Sequence, residues 1–276
     1  MPFTPSHVAA VLPFLRTPLP AAGLVIGSMV PDLPYFVPLG VSRNLTHSLP
    51  GVVIADLPMA LGALVLWTLV FQAPLRDFAP SWLRLRLPPV RRYRARHTPS
   101  TILLVILAVI VGVATHLAWD SFTHPDGWLV LHVPVLRVQL GAFTLYRWAQ
   151  YASSVVGLVA VFAWMIVWTR RTSVRRAESR ESRLNDLARW AAWAVVAGPG
   201  VFVGLVVWVH GLAGGTGAFD RVLVYRTATL SISCAGFIAV VLTLVWYLLP
   251  RKREVGASEA DSAGQDRAEE DRANRS

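Results

Sequence analysis

The sequence predicts an all-α, polytopic integral membrane protein. It has about five transmembrane helices, preceded by a hydrophobic stretch that forms either a re-entrant hairpin or a sixth span. Three observations lead there. Apolar residues make up 54% of the chain, and only 15% are charged, where a soluble domain carries about 25%. Mean hydropathy is +0.50. The apolar residues also fall in long blocks, each supplying the roughly 20 residues needed to cross the hydrocarbon core. Backbone inside lipid must satisfy its own hydrogen bonds, so the blocks are read as helices.

Taken in order, residues His7 to Val30 are apolar but interrupted by Pro13, Arg16, Pro18 and Pro20. That pattern lacks the basic start and unbroken core of a secretory signal. Two half-helices turning at Thr17 to Pro20 would return His7 to the side of Asp32, and this hairpin is the preferred reading. The first block, Leu49 to Leu75, holds one acid, Asp56, expected either to pair with a basic group or to face a polar cavity. Four further blocks are free of Asp, Glu, Lys and Arg: Thr101 to Trp119, Trp148 to Thr169, Trp190 to Phe219, and Thr227 to Pro250. Pro199 is expected to kink or break the fourth span. Residues 1–250 are thus read as one membrane domain and 251–276, rich in Gly, Ala, Ser, Glu, Asp and Arg, as a disordered cytoplasmic tail. Trp67, Trp119, Trp128, Trp148, Trp168, Trp190 and Trp246 lie near span ends and read as interface anchors.

The formal charge of +10 comes from arginines in two loops and the tail. Arg76, Arg84, Arg86, Arg91, Arg92, Arg94 and Arg96 follow the first span. Arg170, Arg171, Arg175, Arg176, Arg180, Arg183 and Arg189 follow the third, and Arg251, Lys252 and Arg253 the last. Beside apolar blocks such residues orient a membrane protein and meet anionic headgroups. No nucleic-acid partner is implied; the partner is the lipid bilayer. The basic segments fall on one side when the spans number five, so the C-terminus is expected in the cytoplasm and the chain in the bacterial plasma membrane. Cys234 is the one cysteine, which excludes an intramolecular disulfide and a cysteine metal knuckle.

Ionisable residues cluster at the outer ends of the spans, in Thr4-Pro5-Ser6-His7, Val30-Pro31-Asp32, Arg43-Asn44-Leu45-Thr46-His47-Ser48, and Thr115-His116 through Asp120 to His124-Pro125-Asp126. His116 and Asp120, four apart, project from one helix face and can share a ligand. His124 adds a further step if the helix continues to Pro125. Imidazole and carboxylate are ordinary ligands of zinc and similar divalent metals, and such groups near lipid are costly unless paired or metal-bound. His7, Asp32 and His47 fall on the same outer side under the hairpin reading. His97, His132 and His210 lack such company and read as interfacial or packing residues.

These motifs, in this order, resemble a bacterial membrane family, domain of unknown function 4184, over roughly residues 1 to 170, most specifically from Thr115 to Trp128. More distantly they are similar to the membrane-bound metal-dependent hydrolase families, whose motif positions correspond to His7, Asp32, His47, His116 and Asp120. Those families usually carry a further acid and histidine where this chain has Leu33, Pro34 and Tyr35, and a histidine where it has Ser42. The resemblance implies a metal-dependent hydrolase. His7, Asp32, His47, His116 and Asp120, with His124 as a further candidate, would hold a divalent ion such as zinc. Asp126 is the candidate base, and Arg43 the candidate anchor for an anionic group of a lipid or phosphate-containing substrate. Two other classes compete. A transporter would need polar residues continuing toward the cytoplasm, where the spans carry chiefly small hydroxyls suited to helix packing. A membrane scaffold would use the His/Asp cluster structurally.

Overall fold

A computed structural model describes residues 4–88, 98–174, 182–218 and 220–250. The proposed tail, His97 and the arginines at 91–96, 175–180 and 251–253 fall outside the described residues. Five segments of 27 to 34 residues are long and apolar enough to cross a membrane. They contain α2 (Leu49–Phe78), α3 (Pro99–Thr123), α4 (Leu145–Arg171), α5 (Asp186–Ala213) and α6 (Arg221–Leu248). Their outer faces carry bare apolar side chains such as Val155, Phe162, Val201, Phe202 and Phe237. So much exposed apolar surface is what a lipid-facing protein shows. The strands among the described residues, Gln139–Leu140 and Phe143–Thr144, form a small hairpin turning at Gly141, whose φ is +63°.

The N-terminal stretch folds as two arms. Thr4–His7, Val8–Val11 and Leu12–Arg16 make a first irregular helical arm. Extended backbone at Thr17 breaks it, and Pro20 opens the return helix α1 (Ala21–Met29). Small residues let α1 lie directly on α3. A Cβ at Gly112 would stand 2.5 Å from the Leu24 carbonyl oxygen and 2.8 Å from the Ser28 nitrogen, and one at Gly27 would strike the Val109 carbonyl. Close backbone approach of this kind is how helices associate in lipid, where no hydrophobic force draws them together. Val11, Leu24 and Ala108 fill one side of the seam, and Val30, Ala60, Val109 and Val113 the other.

Caps explain why the helices outrun the apolar blocks. Thr98 accepts from the Thr101 N–H ahead of Pro99, Asn185 from Ala188, and Asp220 from Val222 and Leu223. α5 runs unbroken across Pro199, so of the kink or break expected there, the break does not occur. Proline is tolerated within a membrane helix where neighbours accommodate the freed carbonyl. Here α6 packs tightly alongside, through Gly200 and Gly204 against Ser231 and Ala235. α2 widens into π-helical turns at Val52–Asp56 and Trp67–Phe71.

The end of α2 is tied to the last two spans by a buried polar network. The Asp77 carboxylate accepts from Trp246 Nε1 (2.9 Å), the Arg183 N–H (2.9 Å) and Ser182, and pairs with Arg189 at 3.6 Å. Arg183 stacks on Trp246 and donates to the Trp246 and Leu249 carbonyls, closing the C-terminus of α6. Trp246 is therefore an internal hydrogen-bonding residue and not an interface anchor. Trp119, half-buried, donates its indole N–H to Ser153 Oγ at 3.1 Å.

Candidate metal centre

Four chain segments deliver the polar cluster. The turn Val30–Tyr35, directly after α1, carries Asp32. The short helix Arg43–Thr46 ends at His47. It sits close on the start of α2, because a Cβ at Gly51 would overlap the Leu45 carbonyl and Ser48 caps the Gly51 N–H. α3 carries His116 and Asp120 one turn apart on a buried face. The first arm brings in His7.

Asp32, His47, His116 and Asp120 each offer one ligand atom, and these four atoms lie within 4.8 Å of one another. His47 Nε2 is 3.2 Å from Asp120 Oδ2 and 3.8 Å from Asp32 Oδ1. His116 Nε2 is 3.6 Å from Asp120 Oδ2 and 3.8 Å from Asp32 Oδ1. Zinc bonds of 2.0–2.2 Å in a tetrahedron would set neighbouring ligand atoms about 3.4 Å apart. The donor set and its spacing fit a divalent ion. Three of these residues are buried and His47 nearly so.

The hydrogen bonds around the cluster aim each donor inward. His116 Nδ1 donates to the Ser28 carbonyl at 2.8 Å, which turns Nε2 toward the two carboxylates; in the neutral ring that nitrogen carries the lone pair a metal would take. Thr46 Oγ1 spends its own proton on the Arg43 carbonyl at 3.2 Å and so accepts from His47 Nδ1 at 2.9 Å, which turns His47 Nε2 toward Asp120 and Asp32. Thr4 Oγ1 donates to Asp32 Oδ2 at 2.7 Å, turning Oδ1 toward both imidazoles. Partners on the far side of each ligand are the usual means of fixing tautomer and orientation. The inward atoms His47 Nε2, His116 Nε2 and both Asp120 oxygens are buried without an aligned hydrogen bond. An imidazolium–carboxylate pair would instead close to about 2.8 Å.

The remaining candidates stand around this group. His7 Nε2 approaches Asp120 Oδ1 at 3.5 Å, its ring stacked on His116 with centroids 4.0 Å apart. Burial pushes the His7 pKa down to about 3, with the neighbouring His116 adding to the effect. His124 is not on the helical stripe, because α3 ends at Thr123 and His124 adopts extended backbone. Its Nδ1 nevertheless lies 3.2 Å from Asp120 Oδ1. Arg43, about a quarter exposed, pairs with the half-exposed Asp126 and reaches Asp120 Oδ2 at 3.7 Å. Burial opposes its charge, but Tyr35, Asp126 and Asp120 together raise its pKa above the ordinary value. Burial also pushes the Tyr35 phenol up to about 12, so it stays neutral. Three carboxylates against one guanidinium leave the pocket short of positive charge.

Asp56 lies deeper along α2, fully buried on the Val52–Asp56 turn and within electrostatic reach of His116; neither oxygen has a hydrogen-bond partner. Of the two roles expected for it, it takes no basic partner by hydrogen bond. His132 folds onto Trp128, bonding its carbonyl at 2.7 Å, and His210 is exposed on α5. Thr4 and Thr46 were given no role of their own in the sequence motifs that contain them, and Ser28 and Gln150 were not singled out. The place of Thr4 and Thr46 inside the histidine motifs is a usable signal, whereas a backbone carbonyl such as that of Ser28 leaves none.

No curated protein and no solved structure matches the chain. One family model does match, over residues 1–250, well past the stretch in which the polar motifs lie. The chain belongs to that family, described as Domain of unknown function (DUF4184).

Proposed function

We propose that this chain is a membrane-embedded, metal-dependent hydrolase. It works at the extracytoplasmic face of a bacterial plasma membrane, on a lipid or lipid-linked ester. The observation that carries the reading is the His116 ring, fixed by the Ser28 carbonyl so that Nε2 faces two carboxylate oxygens without an aligned hydrogen bond. That arrangement calls for a cation between them. The sidedness follows from the arginines. Arg76, Arg84, Arg170, Arg171, Arg183 and Arg189 adjoin the ends of α2, α4 and α5 remote from the cluster. By the positive-inside rule that end, and the C-terminus with it, faces the cytoplasm.

Asp32, His47, His116 and Asp120 would hold the ion, zinc being the metal these ligands suit. A bound divalent ion would supply Lewis acidity, acidifying a water and polarising a scissile carbonyl or phosphoryl group. Thr4, Thr46 and the Ser28 carbonyl keep the ligands aimed. Arg43 presents N–H donors at the mouth, where an anionic substrate group can take them by bidentate hydrogen bonds. Asp126, outside the ligand set and exposed beside Arg43, is the carboxylate placed to accept a proton.

The test is metal analysis of the protein in lipid nanodiscs, followed by a panel of p-nitrophenyl esters and phosphate esters. The reading expects tightly bound divalent metal, lost in His116→Ala and Asp120→Ala, and metal-dependent release of p-nitrophenol. Protein that purifies without metal and takes up none removes the proposal. So does metal-loaded protein that cleaves no probe.

A further inference from the structure

At the end of the bundle remote from the His/Asp cluster, Arg84 is a buried cation whose charge nothing nearby meets. It closes the short helix Ser81–Arg84, just past α2, and is 9% exposed. Its Nε is buried with no hydrogen-bond partner. The neighbouring arginines are spent differently. Arg86 donates to the Thr172 and Trp82 carbonyls, and Arg183 to those that end α6. The carboxylates in electrostatic reach of Arg84 are Asp77 and Asp186, and both pair with Arg189. The other charges that reach it, Arg189 and Arg76, have its own sign. Burial lowers the Arg84 pKa, and Arg189 adds to the effect. A guanidinium stays charged all the same, and a buried charge is costly until an opposite one meets it.

The surroundings say what kind of anion fits. The Ser81–Arg84 helix follows an apolar span directly, exposes Trp82, and is tied to the start of α5 by the Ser81 hydroxyl on Asp186. An exposed indole beside arginines is the signature of headgroup depth. On the membrane side of this level an apolar groove runs between α2, α5 and α6, lined by Leu75, Phe78, Ala192, Val196, Ala239 and Leu242. Trp193 Nε1 on the Phe78 carbonyl, at 2.9 Å, joins two of its walls. Phe78 follows Asp77, and Ala192 stands one turn beyond Arg189. The groove therefore ends against the charged network.

We propose that this cleft holds one anionic phospholipid, its phosphate on Arg84 and an acyl chain in the groove. Guanidinium groups take phosphate oxygens by bidentate hydrogen bonds, and basic pockets between membrane helices bind anionic headgroups. With Asp77 and Asp186 already engaged, the lipid supplies the negative charge that Arg84 lacks. It also braces the junction of α2 with α5 and α6. The metal-centre reading is not needed for this site.

The experiment places the full chain in nanodiscs of equal phosphatidylglycerol and phosphatidylcholine and counts retained lipid by native mass spectrometry. One phosphatidylglycerol per chain is expected, held where phosphatidylcholine is stripped, with a higher Tm than in phosphatidylcholine alone. Arg84→Gln should weaken retention about tenfold or more. Ala192→Trp, which fills the groove, should weaken it with Arg84 intact. Equal retention of the two lipids, or of neither, overturns the proposal, as does retention indifferent to Arg84→Gln. Inorganic phosphate added to phosphatidylcholine nanodiscs should leave Tm unchanged; a rise equal to that from phosphatidylglycerol makes this a site for free anions and overturns the lipid. The unaltered protein's choice of lipid decides even if a variant fails to fold.

Discussion

Thr4→Val isolates the support of one ligand from the ligand itself. Thr4 is almost fully buried, and its hydroxyl donates to Asp32 Oδ2 at 2.7 Å. Valine has nearly the same shape, so packing is kept while the hydrogen bond to a charged group, a contribution of about 1.5–3 kcal/mol, is lost. With the ion bound, Asp32 stays anchored on one side, and the loss shows as weaker holding of the carboxylate. Partners of this kind are worth about 10–100-fold in metal affinity, or about 1.4–2.7 kcal/mol. The assay is competition for Zn²⁺ between protein in nanodiscs and a chromophoric chelator of known affinity. Thr4→Ser, which keeps the donor, should bind within a few-fold of the unaltered protein. If Thr4→Val binds as tightly as the parent, Asp32 is not held for a metal by this hydroxyl. If Thr4→Ser falls as far as Thr4→Val, packing rather than the donor is responsible.

Gly112→Ala should force α1 off α3, because the new methyl meets the Leu24 carbonyl and the Ser28 nitrogen. About 1–3 kcal/mol of overpacking cost is expected, read as a lower Tm, together with weaker metal binding as the Ser28 carbonyl leaves His116. In metal-free protein, stability should fall with acidification through His7. Its native pKa of about 3 lies below the 6.5 of an exposed imidazole, so the unfolded chain takes up a proton the native state refuses. The contribution is complete above pH 6.5 and is lost as pH falls toward 3, at about 2 kcal/mol between pH 6.5 and 5. Thermal unfolding at several pH values checks this, and His7→Gln should flatten the slope.

The five spans are legible in the sequence because hydropathy over some 20 residues reports the one constraint lipid imposes. Their ends are less so. Capping by Thr98, Asn185 and Asp220 lengthens the helices into polar sequence that hydropathy discounts. The cluster is legible in part: His and Asp are rare enough beside lipid that each draws notice, and the proline-broken stretch invites a fold-back. What joins them is quieter. The α1–α3 contact depends on glycines 23, 27 and 112 and on Ala108, spaced four apart within each helix and common in any membrane span. The Asp77 network escaped notice because a single acid at a helix end is ordinary and Trp246 reads as an anchor. Only the fold brings residues 77, 183, 189 and 246 together.

Among the described residues, the side chains that ligate or brace the cluster, from Thr4 to Gln150, precede the final two spans. α5 and α6 pack chiefly on each other, meeting the rest at Phe36 and Tyr35 at one end and, at the other, at Asp77 and the carbonyls of Leu69, Val70 and Phe78 among others. The ligands and their braces thus all lie ahead of Asp186 in the chain, so the parts of the centre are synthesised before α5 and α6.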